Sequence, residues 1–532
     1  MDRRSPDRTE PGLTVPNAPV DPRASGGVLR ASSGFLGNAG ITLAGSGVGA
    51  ILAFANEVLA AHFLGVAAYG LYALALMLAK VGEIVAVFGL PLSVLHYLPV
   101  HLSRMQRGHA LGTIVGAVML PLAFGLVFAL VLLFAGEWVA TDVFRQPQAG
   151  RFIATIGIAI PLLALADLLG NVARGFGRAL PYIIIRNITP ALCYMSVLIL
   201  LLVWHGSPIG AAYGYIAGIV VGVLLGVGFV VQLVRQHIGL PRPVMQVRRL
   251  YRYAAPVALN SIVSLVMVWT DLFLLGVFTD ASTTGIYRGC MQIVFSFDLV
   301  WNACSAATAP IYPVLLADRR HAQMQATYSS AVRLSTLLAI PIAMIILTNS
   351  SDILGLLGPG FATGGLALVI LASGQFIKVV FGNASVVLIV GGRQTLEAGN
   401  GAIGAGLNLV LNVLLVPRYG LMGAAIATAT SLIALGVLRA VQLRRVMALH
   451  TLDRSVLRVL AVSLTLTALV WLGSRLLGVA PGSGLFALFL RLSVLTAVVG
   501  GGLWLFCLNQ DDRATLVGLV LRRNAKISAV AM

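Results

Sequence analysis

Eight ionisable side chains stand inside long apolar runs of this chain: Glu57, Lys80, Glu83, Asp167, Asp271, Arg288, Asp298 and Lys378. An ionisable group at the centre of a bilayer costs roughly 2.5 to 3.5 kcal/mol on insertion scales, so it faces a partner or a watery cavity. Acids and bases together describe a mixed-charge cavity that binds a polar cargo or passes an ion. No GxxxxGK[ST] or HExxH pattern and no Cys/His cluster accompanies them. The expectation is therefore a transporter without catalytic residues, bound metal or cofactor. Arg491 is a weaker ninth member of the set. Four members also have plain structural readings. Lys80 and Glu83, one helical turn apart, can simply neutralise each other. Arg288 can snorkel to the outer surface, and Asp167 can mark the cytoplasmic edge of its span. Asn408 and Asn412 share a helix face, and neutral amides in a bilayer are expected to bond a neighbouring helix.

The elements that carry these groups are membrane helices. The chain has 532 residues, 58% of them hydrophobic and only 10% charged, with a mean hydropathy of +0.95. Stretches long enough to cross a hydrocarbon core, about 20 residues each, recur about 14 times between residues 36 and 508. Period-2 alternation is absent, so helices rather than a β-barrel satisfy the backbone. The Pro-, Asp- and Arg-rich residues 1–35 read as a disordered cytoplasmic tail and not as a signal peptide. Cys193, Cys290, Cys304 and Cys507 read as buried small hydrophobes.

The net charge of +18 follows topology, not a nucleic-acid-binding face. Grouped by loop, Arg104 and Arg107 follow the second span and Arg174, Arg178 and Arg186 the fourth. Arg235, Arg242, Arg248, Arg249 and Arg252 follow the sixth, and Arg439, Arg444, Arg445, Arg454 and Arg458 form a later cluster. The alternate loops hold only Arg145, Arg151, Arg418 and Arg475. Both termini are therefore expected in the cytoplasm, which an even number of spans allows.

A repeat organises the spans. "GAAYGYIAG" at Gly210 and "GAAIATATS" at Gly423 lie 213 residues apart, and Gly70 and Gly285, each within a Leu-Gly-Val to Gly-x-Tyr stretch, lie 215 apart. Gly170-Asn171 recurs as Gly382-Asn383, Gly177-Arg178 as Gly392-Arg393, and "VQL" at Val231 as Val441. The order is kept throughout. This predicts two parallel six-helix halves about a pseudo-two-fold axis along the membrane normal, with a path between them. The expected divisions are helices 1–6 in residues 36–236, a linker at 237–249, helices 7–12 in 250–447, two extra helices in 448–508 and a cytoplasmic tail in 509–532. On the 215-residue register Glu83 falls on Asp298, so a carboxylate repeats in the second helix of each half.

The stretches "NLVLNVLLVPRYGLMGAAIATATS", "GGRQTLEAGNGAIGAGLNL" and "APVALNSIVSLVMVWTDLFLLGVFTDASTTGIY" resemble the polysaccharide-transporter branch of the multidrug/oligosaccharidyl-lipid/polysaccharide exporter superfamily. The resemblance covers about residues 36 to 445. It implies a flippase of a bacterial inner membrane that moves an undecaprenyl-pyrophosphate-linked oligosaccharide outward by rocking two lobes. A proton or sodium gradient is a possible driver, and a polysaccharide polymerase and a chain-length regulator are implied partners. Lys80, Arg288 and Lys378 are the candidates for pyrophosphate or sugar-acid contact, and the carboxylates for sugar hydroxyls or a coupling ion. The cavity departs from the cationic family pattern by holding about as many acids as bases. Lipid II flippases and cation-coupled drug exporters of the same fold are the near alternatives. A membrane glycosyltransferase or polymerase usually carries a sizeable outer loop or an acidic catalytic motif. The longest outer loop here, about residues 135 to 151, has only Glu137 and Asp142.

Overall fold

The computed structural model describes residues 24–451 apart from 240 and 319, then 456–463 and positions 465, 466, 468, 493, 498 and 501; side chains are described from residue 45 onward. The two helices expected in 448–508, the C-terminal tail, Arg491 and Cys507 lie largely or wholly outside the described residues. Among the described residues every regular element is a helix. Leu, Ala, Val and Ile runs without polar periodicity leave a chain in lipid no other local way to pair its backbone.

The first helices are α1 (Ala24–Val87), α2 (Leu90–Ser103), α3 (Arg107–Trp138), α4 (Ala149–Gly157) and α5 (Ala159–Gly175). They are followed by α6 (Ala179–Ile183), α7 (Thr189–Val203) and α8 (Ile209–His237). After a connection come α9 (Val247–Phe278), α10 (Ala281–Val294), α11 (Ser296–Thr308), α12 (Ile311–Ala317), α13 (His321–Gly355), α14 (Gly365–Val390) and α15 (Gln394–Met447). The first helix opens at Ala24, ahead of residue 35 where the tail was expected to end.

Among the described residues ten segments are long and apolar enough to cross a membrane. Two of them are too long for one passage. Gly45–Ser103 has 59 residues and Gln394–Met447 has 54, whereas at 1.5 Å per residue about 20 suffice. Each is broken by a glycine outside helical geometry, Gly65 (φ 70°, ψ 172°) and Gly420 (φ 50°, ψ −125°). Each therefore crosses twice, which divides the described residues into six crossings before the 238–246 connection and six after it.

Helix ends repeat with the sequence. Gly177 (φ 79°) and Gly392 (φ 77°), matched in the sequence repeat, both lie in the left-handed region that favours glycine. The next residue closes the same reverse bond in each case: Arg178 N–H donates to the Ala173 carbonyl at 3.1 Å, and Arg393 N–H to that of Leu388 at 2.9 Å. This is the helix-terminating pattern expected of a Gly at the C′ position.

The basic loops meet at one end. Val244 N–H donates to the Gly108 carbonyl at 2.9 Å, the Phe176 and His237 rings are 5.5 Å apart, and the Arg249 guanidinium sits 5.0 Å from the Tyr97 ring centroid. At the opposite end the Gln146 amide donates to the carbonyls of Gly276 and Thr279, each at 3.1 Å. There α1 and α10 approach so closely that a Cβ added at Gly70 falls 1.8 Å from the Ala281 carbonyl oxygen, and one at Gly285 falls 2.2 Å from that of Val66. The two glycines matched at 215 residues thus touch each other's helix.

Candidate functional site

In the first half the charges converge on Glu83, which is buried. Its carboxylate accepts from Lys80 Nζ at 2.7 Å and from Arg186 at 2.6 Å, and Arg186 Nε lies 3.8 Å from Asp167. Arg186 was expected in a basic loop, and here the structure corrects the sequence reading. The arginine sits inside the apolar segment Ala179–Val203, on a π-helical turn, Ile184–Ile188, between α6 and α7. A π turn re-aims a side chain that a regular helix would point elsewhere, and Glu83 and Asp167 compensate the charge within the bilayer. The sign that could have revealed it is the apolar run that starts before it, at Ala179.

Glu57 and Arg288 form an ion pair across the two halves, and the Tyr69 hydroxyl donates to the same carboxylate. Arg288 also lies 5.8 Å from the Trp269 ring centroid. Arg288 is thus turned inward to an acid and does not reach for the surface. Beside this pair is a cavity of about 410 Å³ lined by Glu57, Arg186 and Asn187 and by a cluster of three tyrosines.

In the second half Lys378 Nζ bonds Asp298 at 2.6 Å, and both line a second cavity, of about 230 Å³. Arg439 was also expected in a basic loop. It instead faces this cavity and pairs with Glu397, which the sequence reading missed; Ser385 donates to the same Glu397 at 2.9 Å. Both partners lie on α15 but on opposite sides of Gly420, so the break folds the two arms together and lets them meet.

Asp271 is fully buried, and its hydrogen-bond partners among the described residues are all neutral. The amide of Asn412 donates to it at 2.8 Å and the Thr428 hydroxyl at 2.5 Å, and the Tyr287 hydroxyl donates as well. Asn408 donates to Thr428 at 3.3 Å. The two asparagines therefore tie α15 to the Asp271 carboxylate of α9. Both keep an Oδ1 that is buried without a hydrogen-bond partner among the described residues. No group of three or more His, Cys, Asp or Glu residues that could hold a metal ion occurs among the described residues.

Comparison with known proteins places this arrangement. The family described as polysaccharide biosynthesis protein matches residues 35–317, more than half of the chain. The chain belongs to that family. Among curated relatives, the probable low-salt glycan biosynthesis flippase Agl15 of Haloferax volcanii is 29% identical over 197 residues, covering 36% of this chain and 41% of its own length. The probable flippase AglR of the same organism is 29% identical over 198 residues with the same shares. The match thus spans about two fifths of the length of these relatives. Among solved structures, the lipid II flippase MurJ in an inward closed conformation aligns with a TM-score of 0.68 at 14% identity, over 88% of this chain and 98% of that one. An inward-facing multidrug resistance MATE transporter aligns with a TM-score of 0.64 at 13% identity, over 75% and 94%. This polysaccharide biosynthesis protein therefore has the all-helical fold those transporters share, with ion-paired charges inside its membrane segments.

Proposed function

We propose that the protein is a flippase that carries a polyprenyl-linked oligosaccharide across a membrane, without catalysing a covalent step. The observation that carries this reading is the placement of paired intramembrane charges, Asp298 with Lys378 and Glu83 with Arg186, beside a cavity in each half of a polysaccharide biosynthesis protein. A polar cargo can exchange for such pairs one bond at a time without leaving a bare charge in lipid. The curated relatives named as probable flippases support the same reading.

In a bacterium the cargo is an undecaprenyl-pyrophosphate-linked oligosaccharide and the site is the plasma membrane, with both termini cytoplasmic. Residues 36–236 and 250–447 act as two lobes joined by a linker at 237–249. They rock so that the cavity opens to each side in turn, and a polymerase and a chain-length regulator take up the product. The test is deletion in the source organism complemented by wild type, Asp298→Ala or Lys378→Ala, with lipid-linked precursor measured in each leaflet. Precursor accumulates on the cytoplasmic side, and only wild type restores its passage. Precursor that reaches the far leaflet normally and stays unpolymerised overturns the flippase reading in favour of a polymerase.

Coupling to a proton or sodium gradient fits the Asp271 cluster. A carboxylate among neutral donors, with amide oxygens on Asn408 and Asn412 that have no partner among the described residues, offers oxygens to a proton or a hard monovalent cation. Asp271→Asn, which keeps the shape and removes the charge, is expected to leave transport in inverted vesicles indifferent to the imposed ion gradient. Gradient dependence retained in that variant places the coupling elsewhere.

A further inference from the structure

The cavity of about 410 Å³ in the first half has two unlike walls. One is a face of α1 made of small residues, Ser46, Gly49, Ala50 and Ala53. The other is aromatic. Tyr72 and Tyr194 have ring centroids 6.4 Å apart and stack at 23°, and Tyr215 meets both edge-on, at 6.4 and 5.9 Å. Around these walls stand two amides, Asn56 and Asn187. Asn56 is 5% exposed; its amide nitrogen donates to the Ala191 carbonyl at 2.9 Å, while its Oδ1 is buried without a partner among the described residues.

The charges at the rim are already matched. Glu57 is held by Arg288, and Arg186 by Glu83 and Asp167. A phosphate or a uronate entering here finds no cation without an acid of its own, and the desolvation of its charge goes uncompensated. An uncharged sugar ring meets the opposite situation. Its C–H face packs on an aromatic surface whose hydroxyls remain available as polar handles. Its hydroxyls donate to the Asn56 Oδ1 and bond the Asn187 amide, both of which can donate and accept. The volume lies within the ~300–1,000 Å³ of small-molecule sites.

We infer that this cavity is a subsite for an uncharged sugar residue of the carried glycan, with Tyr194 and Tyr215 as the stacking surface and Asn56 and Asn187 as the hydroxyl-reading groups. That the sugar belongs to a glycan rests on the flippase reading. The binding itself does not.

Saturation-transfer NMR on the full chain in nanodiscs tests it, with methyl glucoside, methyl N-acetylglucosaminide, glucuronate and inorganic pyrophosphate as probes. The neutral glycosides receive transfer, and neither glucuronate nor pyrophosphate displaces them. Ala53→Phe, which fills the cavity from the small-residue wall, weakens glycoside binding by about tenfold or more, as loss of a ring-stacking contact implies. Asn187→Ala weakens it in a second way, by removing an amide and enlarging the cavity instead of filling it. No transfer to neutral glycosides, displacement by pyrophosphate, or unchanged binding in both variants refutes the subsite, and the complementation test of the flippase reading is unaffected by that result. If complementation fails while the glycosides still bind with this dependence, the subsite stands and its ligand is a free sugar.

Discussion

Gly70→Ala is expected to part the two halves at the end opposite the basic loops and to slow the proposed transport by roughly 5- to 150-fold, the range that ~1–3 kcal/mol of overpacking implies. The cause is geometric. A methyl group at Gly70 falls 1.8 Å from the Ala281 carbonyl oxygen, a backbone atom that cannot rotate away, so α1 and α10 must separate. On the alternating access proposed above, the added methyl penalises only the closed arrangement, and the population is expected to shift to the one in which this end is open. Spin labels at Ala67 and Asp280 report the change as a longer distance. Gly285→Ala acts on the same contact from the other side, since its Cβ meets the Val66 carbonyl oxygen at 2.2 Å. The two substitutions are therefore expected to be less than additive. The Glu57–Arg288 pair lies within a turn of both glycines through Tyr69 and Arg288, so the close approach and the ion pair act as one latch. An unchanged distance distribution in Gly70→Ala means that the helices yield locally and the contact is not a gate.

Much of this arrangement is written in the sequence. The 215-residue register sets Gly70 on Gly285, and a residue near a two-fold axis meets its own counterpart there, as in any isologous contact. The Gly-Arg corners at 177 and 392 follow from the same repeat, because only a residue free to take positive φ ends both helices alike. Asp298 and Lys378 are conspicuous because an ionisable group in an apolar run needs a partner or a watery cavity to be there at all. What the sequence hides is pairing at a distance. Nothing local says that Glu57 meets Arg288, or that Asn412 bonds Asp271 on another helix. Arg186 and Arg439 illustrate a different failure. Each stands near the basic end of an apolar segment, where the positive-inside tendency makes an arginine unremarkable. Only the π turn at 184–188, and the break at Gly420 that folds the two arms of α15 together, carry these side chains inward to Glu83 and Glu397.

That inward position makes Arg186 the residue whose loss is expected to cost the most stability. Its side chain is 23% exposed and the Glu83 side chain 6%, so the pair is shielded from bulk solvent. Removing Arg186 leaves Glu83 and Asp167 to share the single Lys80 cation, so the cluster carries an excess buried negative charge, at a cost of up to about 3–5 kcal/mol. Arg186→Met is therefore expected to lower the thermal unfolding midpoint in detergent sharply. The double variant Arg186→Met with Glu83→Gln recovers a large part of the loss, because Lys80 and Asp167 then balance each other while the shape of the site is kept. Lys80→Met costs less than Arg186→Met, since Lys80 is 28% exposed and leaves Glu83 its arginine. Arg186→Lys does not substitute for the native residue: one ammonium point charge replaces a planar fork that serves Glu83 at 2.6 Å and reaches Asp167 at 3.8 Å. The decisive comparison is the single against the double variant. If Arg186→Met unfolds at the wild-type temperature, or if Glu83→Gln added to it brings no recovery, the Glu83 charge is solvated in the native protein and the Arg186 bond to it is not what holds this part of the membrane interior together.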